Sequence, residues 1–416
     1  MLGCLGLRRG SFGSVAAAKA VSQKELDAAA TEASAEVESW DGSRIVIVRD
    51  LQAAVRNHGQ VQLARDAGSD GRLLAVKRMP TAWVRTDAAD FAREYPRASE
   101  KPWADLAFLR VLQERTYPYA CHLRGIFRNE SETFVATSFC TEGDLFDWCH
   151  SEGLPAPGPE REERVRPVAA QLLAAVRWLH DLGVAHRDLS LENVVLTRHG
   201  SGLSLRLIDF GMATLQREVR NEVVGKLLYQ APEVHTRRVV DTFLADAFAV
   251  GAMIYSMVAK DYPWTSTQRG KCQLFEYFCR FGLRRLLTKR RVRRGNGEYL
   301  IEVLSAEIVE VLDVLLETRP RKRASLGQSV FDNEFRIGRR RSNVWDMPFF
   351  FAAEPRPPPP TPPHRPGGVA PPTPCQDHAK FGCRRDSIST CSGVSGGSLP
   401  SELLLSDRSA LLSSAA

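Results

Sequence analysis

The sequence predicts an α+β protein in which a small strand-rich lobe precedes a larger, mostly helical one. Three observations carry that reading. Short alternating runs with glycine-containing turns come first: "SRIVIVRD" (43–50), "GQVQLARD" (59–66) and "GRLLAVKRM" (71–79). They have strand composition and hairpin spacing. Leu106, Leu109 and Leu112 then recur at helical spacing before "ETFVATSFC" (132–140) returns to strand composition. Beyond residue 160 an apolar stripe of Val165, Val168, Leu172, Val176 and Leu179 predicts the buried face of a helix. Strands early and helices late favour segregated layers over alternating β-α units.

The flanks have a different character. Residues 1–42 are Ala- and Ser-rich and read as a flexible extension; acidic residues from Glu25 onward argue against a long transit peptide. Gly3 does not follow Met1 directly, which excludes myristoylation. One folded domain is expected over 43–335, dividing near residue 138 into lobes of 43–138 and 139–335. Residues 336–416 read as a Pro/Ser-rich tail without fixed structure. Within it "EPRPPPPTPPHRPGGVAPPTP" (354–374) is an extended polyproline spacer whose P-x-x-P spacing also suits an SH3- or WW-type partner. Cys375, His378, Cys383 and Cys391 match no standard zinc spacing. "RRDSIS" (384–389) resembles a basophilic phosphorylation site.

Composition narrows the class. A chain of 416 residues, 44% hydrophobic and 25% charged, is an ordinary globular protein. No run of 18 apolar residues exists, so no membrane span is expected. The nine cysteines are scattered and follow no secretory segment. They read as reduced thiols of an intracellular protein, cytoplasmic or nuclear. The net charge of +7 is concentrated in "LRRLLTKRRVRR" (283–294), "RPRKR" (319–323) and "GRRR" (338–341). Solvated helix faces account for these; the sharper alternative is a docking patch for acidic partners or a nuclear address. No nucleic-acid motif accompanies them, and no nucleic-acid partner is expected.

"VAHRDLSLENVVL" (184–196) carries the chemistry. His186-Arg187-Asp188-Leu189 followed by Asn193 fits the pattern H-R-D-L-x-x-x-N. "LLAVKRM" precedes it; "IDFGMA", "YQAPEV" and "ADAFAVGAMIY" follow it. In this order the motifs resemble the eukaryotic protein kinase catalytic domain, Ser/Thr type, over residues about 43 to 335. "GDLFDW" and "DYPW" are loosely similar to its calmodulin-dependent and AMP-activated branch. The resemblance implies a bilobal fold whose strand-rich lobe holds one long helix. It also implies ATP and Mg²⁺ (or Mn²⁺) as cofactors, and transfer of the γ-phosphoryl group to Ser/Thr hydroxyls of protein substrates.

Carried over residue by residue, Lys77 holds the α- and β-phosphates, Asp209 and Asn193 hold metal, and Asp188 orients the hydroxyl and accepts its proton. Val61, Ala75 and Val195 join the nucleotide pocket, Thr137 guards its back, and Phe139 and Cys140 supply the hinge. Asp144 is either a ribose ligand or a helix N-terminal acid. Phe210 completes Asp-Phe-Gly, Glu233 pairs with Arg323, and Asp246 braces the catalytic loop. Phosphoryl transfer asks for a cationic cradle, metals and one oriented oxygen, and these residue types suit those roles.

The departures from the pattern are specific. The glycine-rich template falls on Ala54, Arg56 and Gly59, so one glycine of three remains; "GSFGSV" (10–15) lies too far upstream of Lys77. Lost glycines stiffen the loop and hold its backbone away from phosphates. Asp105 stands where the partner of Lys77 is expected to be a Glu, with Glu100 and Glu94 as alternatives. Between Phe210 and Ala231 only Thr214 and Tyr229 carry hydroxyls, and Glu222 occupies the usual activating phosphosite. It is either a permanent partner for Arg187 or a solvated loop residue. Finally, Ser190 stands where Ser/Thr kinases carry Lys, and Lys226 where they carry Thr. Either the hydroxyl and ammonium have exchanged strands, bringing Lys226 into catalysis, or the two changes are unrelated. The rival to an active kinase is a nucleotide-binding scaffold that recruits partners through its tail.

Overall fold

The computed structural model describes residues 19–68, 71–200, 202–293, 295–326 and 347–350. Its early strand runs form one six-stranded sheet. β1 (Glu38–Ser39), β2 (Ile45–Ala54), β3 (Gly59–Asp66), β4 (Arg72–Pro80), β5 (Leu123–Arg128) and β6 (Glu132–Ser138) lie in the order β1-β5-β6-β4-β3-β2. β1 pairs with β5 in parallel; the other pairs are antiparallel. The register aligns Val61, Lys77 and Val135, and next to them Leu63, Ala75 and Thr137. Residues two apart share a face of the sheet, so Val61, Ala75, Lys77 and Thr137 lie on one side.

That side is covered by helices. Met79 and Val135 pack with Trp103 and Leu106 of α4 (Pro102–Glu114), and with Phe91 of the short α3 (Ala88–Glu94). Ahead of α3, α2 (Thr81–Val84) ends at Val84, whose carbonyl accepts from Trp103 Nε1 at 2.8 Å. The opposite side buries Leu74, Val76, Phe134 and Ala136 beneath Trp40, which stacks on Phe134 with ring centroids 3.8 Å apart.

Two flanking expectations require correction. Within the extension expected to be flexible, α1 (Gln23–Ala35) forms behind a Ser22–Glu25 capping box. Leu26, Ala29 and Ala33 are buried, and Ala33 joins the cluster of Phe91 and Trp103. Arg110 pairs with Glu32 and Glu36, Arg115 with Glu25. Small side chains spaced along one face allow close approach to α4, although their composition resembles a linker. In the tail, Phe349 is fully buried beneath the Arg166 guanidinium, 4.8 Å from its ring centroid. The polyproline segment, the Cys/His set and the 384–389 motif lie outside the described residues.

The second lobe is helical. It runs through α5 (Leu145–His150), α6 (Pro159–Asp181), the hairpin of β7 (Val194–His199) and β8 (Gly202–Leu207), and β9 (Glu218–Arg220). Then come α7 (Glu233–Thr236), β10 (Val239–Asp241) and α8 (Thr242–Ala259), followed by α9 (Gln273–Phe281), α10 (Leu283–Leu287), α11 (Leu300–Val303) and α12 (Ala306–Leu315). All five stripe residues of α6 are buried, as the periodicity predicts. Among the described residues α8 alone is long and apolar enough to cross a membrane, yet 94% of it is buried within the fold. It is the core helix against which α6 and α12 pack.

Candidate active site

The site gathers side chains from β4, the start of α4, the loop after α6 and the loop after β8. Strand register turns Lys77 toward the helical side of the sheet. Its Nζ lies 3.2 Å from Asp209 Oδ1, 3.6 Å from Asp105 Oδ2 and 3.8 Å from Glu100 Oε1. Burial opposes the ammonium, but Asp209, Asp105 and Glu100 outweigh it and raise its pKa. Asp105, the expected partner, and Glu100, one of its two alternatives, therefore both approach one lysine; Glu94 is exposed on α3. Asp105 also reaches the Asp-Phe-Gly segment, where its Oδ1 accepts from Phe210 N at 2.8 Å. It thereby ties the first turn of α4 to the segment that presents Asp209.

Glu100 is protonated more easily than an ordinary carboxylate. Burial and the Asp209 charge push it up to about 8. Its Oε1 accepts from Asn57 Nδ2 at 2.9 Å. A Cβ at Gly211 would come within 2.7 Å of the same oxygen, so this position of Asp-Phe-Gly admits only glycine unless Glu100 shifts. Asp209, despite burial, is held well below the usual carboxylate range chiefly by Lys77.

The catalytic-loop backbone is held in unusual conformations. Arg187 and Asp209 both have φ of 68°, the left-handed region that non-glycine residues rarely enter. Asp246 fixes the first of these, as expected of a brace: its carboxylate accepts from His186 N at 2.8 Å and Arg187 N at 2.9 Å. Asp188 follows, nearly fully buried, with Asn193 Nδ2 donating to its Oδ2 at 2.9 Å and to its carbonyl at 2.7 Å. Burial raises the Asp188 pKa, while Arg56 and Lys226 oppose that rise. Its buried Oδ1 has no hydrogen-bond partner among the described residues. Ile208 N donates to Asn193 O at 3.0 Å and so brings Asn193 and Asp209 into one site.

Ser190 and Lys226 meet. Lys226 Nζ donates to Ser190 Oγ at 2.9 Å and lies 3.2 Å from Glu192 Oε2. Arg187 also finds its expected partner, with Nη2 donating to Glu222 Oε2 at 2.5 Å. The two activation-segment hydroxyls are engaged. Thr214 Oγ1 accepts from Gln216 N at 3.1 Å. Tyr229 is buried, accepting from Leu191 N and sharing a hydrogen bond with Tyr262. Further from the cleft, Arg323 forms a buried two-bond fork with Glu233 at 2.6 and 2.9 Å.

The nucleotide-pocket expectations have mixed outcomes. Val61, Ala75 and Thr137 share the face of Lys77 through strand register, and Thr137 Oγ1 donates to Ala75 O at 3.4 Å. Val195 is partly exposed on β7 and bridges to Asp144. Asp144 is the N-cap of α5, its side chain accepting from Asp147 N at 2.8 Å, which is the helix-acid alternative. Phe139 is half-buried; Cys140 is buried with its Sγ 3.9 Å from Cys121 Sγ. Gly59 has a packing reason of its own. A Cβ there would lie 1.9 Å from Arg78 O, so close approach of β3 to β4 demands the glycine, whatever it does for phosphates.

Sequence reasoning missed three participants. Arg56, read only as a lost glycine, reaches Asp188 with Nη1 2.7 Å from Oδ2. Asn57 pins the same turn to Glu100, and Glu192 pairs with Lys226. The available signal for Arg56 was a long cation at a position where the template has no side chain.

A family model for the "Protein kinase domain" matches residues 56–335. The chain is 26% identical, over 58% of its length, to Serine/threonine-protein kinase PRR2 of Saccharomyces cerevisiae, covering 36% of that protein. It is 27% identical over 70% of its length to Serine/threonine-protein kinase cds1 of Schizosaccharomyces pombe, covering 58%. With CDPK-related kinase 8 of Arabidopsis thaliana the identity is 33% over 48% of the chain, covering 31% of that relative. The chain thus spans less than two thirds of the length of each.

Proposed function

The chain belongs to the protein kinase domain family, and on that premise we propose that it transfers the γ-phosphoryl group of ATP to serine and threonine hydroxyls of protein substrates. The observation that carries this reading is the meeting of Lys77, Asp188, Asn193 and Asp209, from three separate segments, in one partly buried cluster.

The donor set fits a divalent cation held jointly with phosphate. Among the described residues no three His, Cys, Asp or Glu side chains form a metal cage. Asn193 and Asp209 offer one oxygen-bearing side chain each, and Mg²⁺ is commonly held by one or two such groups plus substrate phosphates. Bound MgATP (or MnATP) would supply the transferable group and the neutralising metal. Lys77 would hold phosphate oxygens, its ammonium kept charged chiefly by Asp209 and Asp105. Asp188 would orient the substrate hydroxyl and take its proton, using the oxygen that has no partner among the described residues. Lys226, held by Ser190 and Glu192, would add positive charge beside Asp188.

Serine/threonine selectivity is supported by the catalytic loop, which lacks the Ala or Arg near Ser190 that tyrosine-directed relatives carry, and by the absence of Pro in "GKLLYQ". The second reading is a nucleotide-binding scaffold that recruits SH3- or WW-type partners through its tail; Arg56 on Asp188 favours it. Five unpaired cysteines among the described residues support a reducing compartment, cytoplasm or nucleus.

Incubation with γ-labelled ATP and a generic basic protein separates the two readings. Transfer to serine or threonine well above an Asp188→Asn control supports the kinase. Transfer no greater than that control removes it.

A further inference from the structure

The turn between β2 and β3 holds Arg56 in the middle of the cleft. Val55–Asn57 form a single 3₁₀ turn that closes on His58, whose N–H donates to Val55 O at 3.0 Å. That N–H is spent inside the turn and is not offered to a ligand. The turn is also fastened from the side. Buried Asn57 donates to Glu100 Oε1 at 2.9 Å, and the His58 ring meets Trp83 edge-on with centroids 4.7 Å apart. A loop so fixed cannot wrap its backbone around phosphates, which is how glycine-rich loops bind them.

The side chain offers what the backbone withholds. Arg56 uses Nη1 for Asp188 Oδ2 at 2.7 Å and for a distant contact with Met212 Sδ at 3.9 Å. Its Nε and Nη2 donate to no group among the described residues, and the side chain keeps 29% of its exposure. Lys77, by contrast, is already shared among three acidic side chains. Among the described residues Arg56 is therefore a cation with donors to spare. A planar guanidinium can keep one donor on a carboxylate while presenting others to a phosphate.

We propose that Arg56 is a phosphate-binding residue, gripping the terminal phosphate of a bound nucleoside triphosphate beside Asp188 in place of the missing glycine backbone. This rests on the nucleotide-dependent reading above and adds to it a specific recognition element. Because Asp188 marks where the transferred group must lie, a cation bonded to Asp188 reads the terminal phosphate. The inner phosphates fall to Lys77. The loop then selects triphosphate over diphosphate.

Calorimetric titration with MgATP and MgADP of the wild type, Arg56→Ala and Arg56→Lys tests this, with matching thermal unfolding as the folding control. Removing a charge-assisted bond to phosphate is expected to weaken ATP binding about 10- to 100-fold. ADP binding should change by less than about 3-fold, and Arg56→Lys should fall between. Equal losses for both nucleotides, or no loss for ATP, overturn the proposal. Tighter ATP binding by Arg56→Ala also overturns it and makes the residue a plug on Asp188. A wild type that binds neither nucleotide defeats the nucleotide-dependent reading itself, and this inference with it.

Discussion

Lys226 Nζ and Ser190 Oγ lie 2.9 Å apart, the ammonium donating across from the activation segment to the catalytic loop. The two positions where this chain departs most from the Ser/Thr kinase pattern are therefore in direct contact. An ammonium and a hydroxyl that have traded places can serve the same local purpose, a mobile positive charge beside Asp188.

A double-mutant cycle measures that relationship. Ser190→Lys places two ammonium groups together, and Lys226→Thr leaves Glu192 without its cation; each should lower kcat about 10-fold or more. The double variant restores the hydroxyl–ammonium pair in reverse and should regain most of the loss, with a coupling energy of about 0.5–3 kcal/mol. Additive losses would mean that the two substitutions are unrelated.

The Arg187–Glu222 pair predicts activity without activation-segment phosphorylation. The enzyme should be equally active after phosphatase treatment, and Glu222→Gln should lower kcat several-fold. Since Glu222 is 46% exposed, that loss should shrink at high salt in the wild-type comparison. Strong stimulation of the wild type by an upstream kinase acting on Thr214 would count against this account.

Asp105 links Lys77 to Phe210. Asp105→Asn keeps an acceptor for Phe210 N but removes the charge near Lys77, and should lower kcat/KM about 10-fold. Asp105→Ala removes both and should cost more. Steady-state kinetics that rank Asn below Ala would contradict the dual role.

The N-terminal helix should be part of the folded unit. Ala33 is fully buried among Phe91 and Trp103, so Ala33→Arg must either bury a charge or detach α1. Denaturant unfolding should register a loss of about 2–4 kcal/mol. Glu32→Arg, on the same helix but facing Arg110 at the surface, should cost under about 1 kcal/mol. Equal stability of Ala33→Arg and wild type would place α1 outside the cooperative core.

Much of this was legible because function demands particular residue types. Lys77, Asp188, Asn193 and Asp209 stand in fixed motifs, and the stripe on α6 has an unambiguous period. The helix α1 was not legible, since its alanines gain stability only from α4, a partner far away in sequence. Arg56 was hidden for a different reason. A template records which residue is missing and says nothing of where its replacement reaches. Glu100 carries no clear signal in the sequence, because its position before Pro102 lies outside any periodic pattern and only tertiary packing buries it.

The most direct test of the central claim uses protein freed of phosphate by a phosphatase, incubated with γ-labelled ATP, Mg²⁺ and a basic acceptor protein. The site assembled around Asp188, with Glu222 already paired to Arg187, predicts label on serine and threonine at a rate about 100-fold or more above Asp188→Asn of equal thermal stability. Wild-type and Asp188→Asn proteins that label the acceptor at the same rate would contradict it.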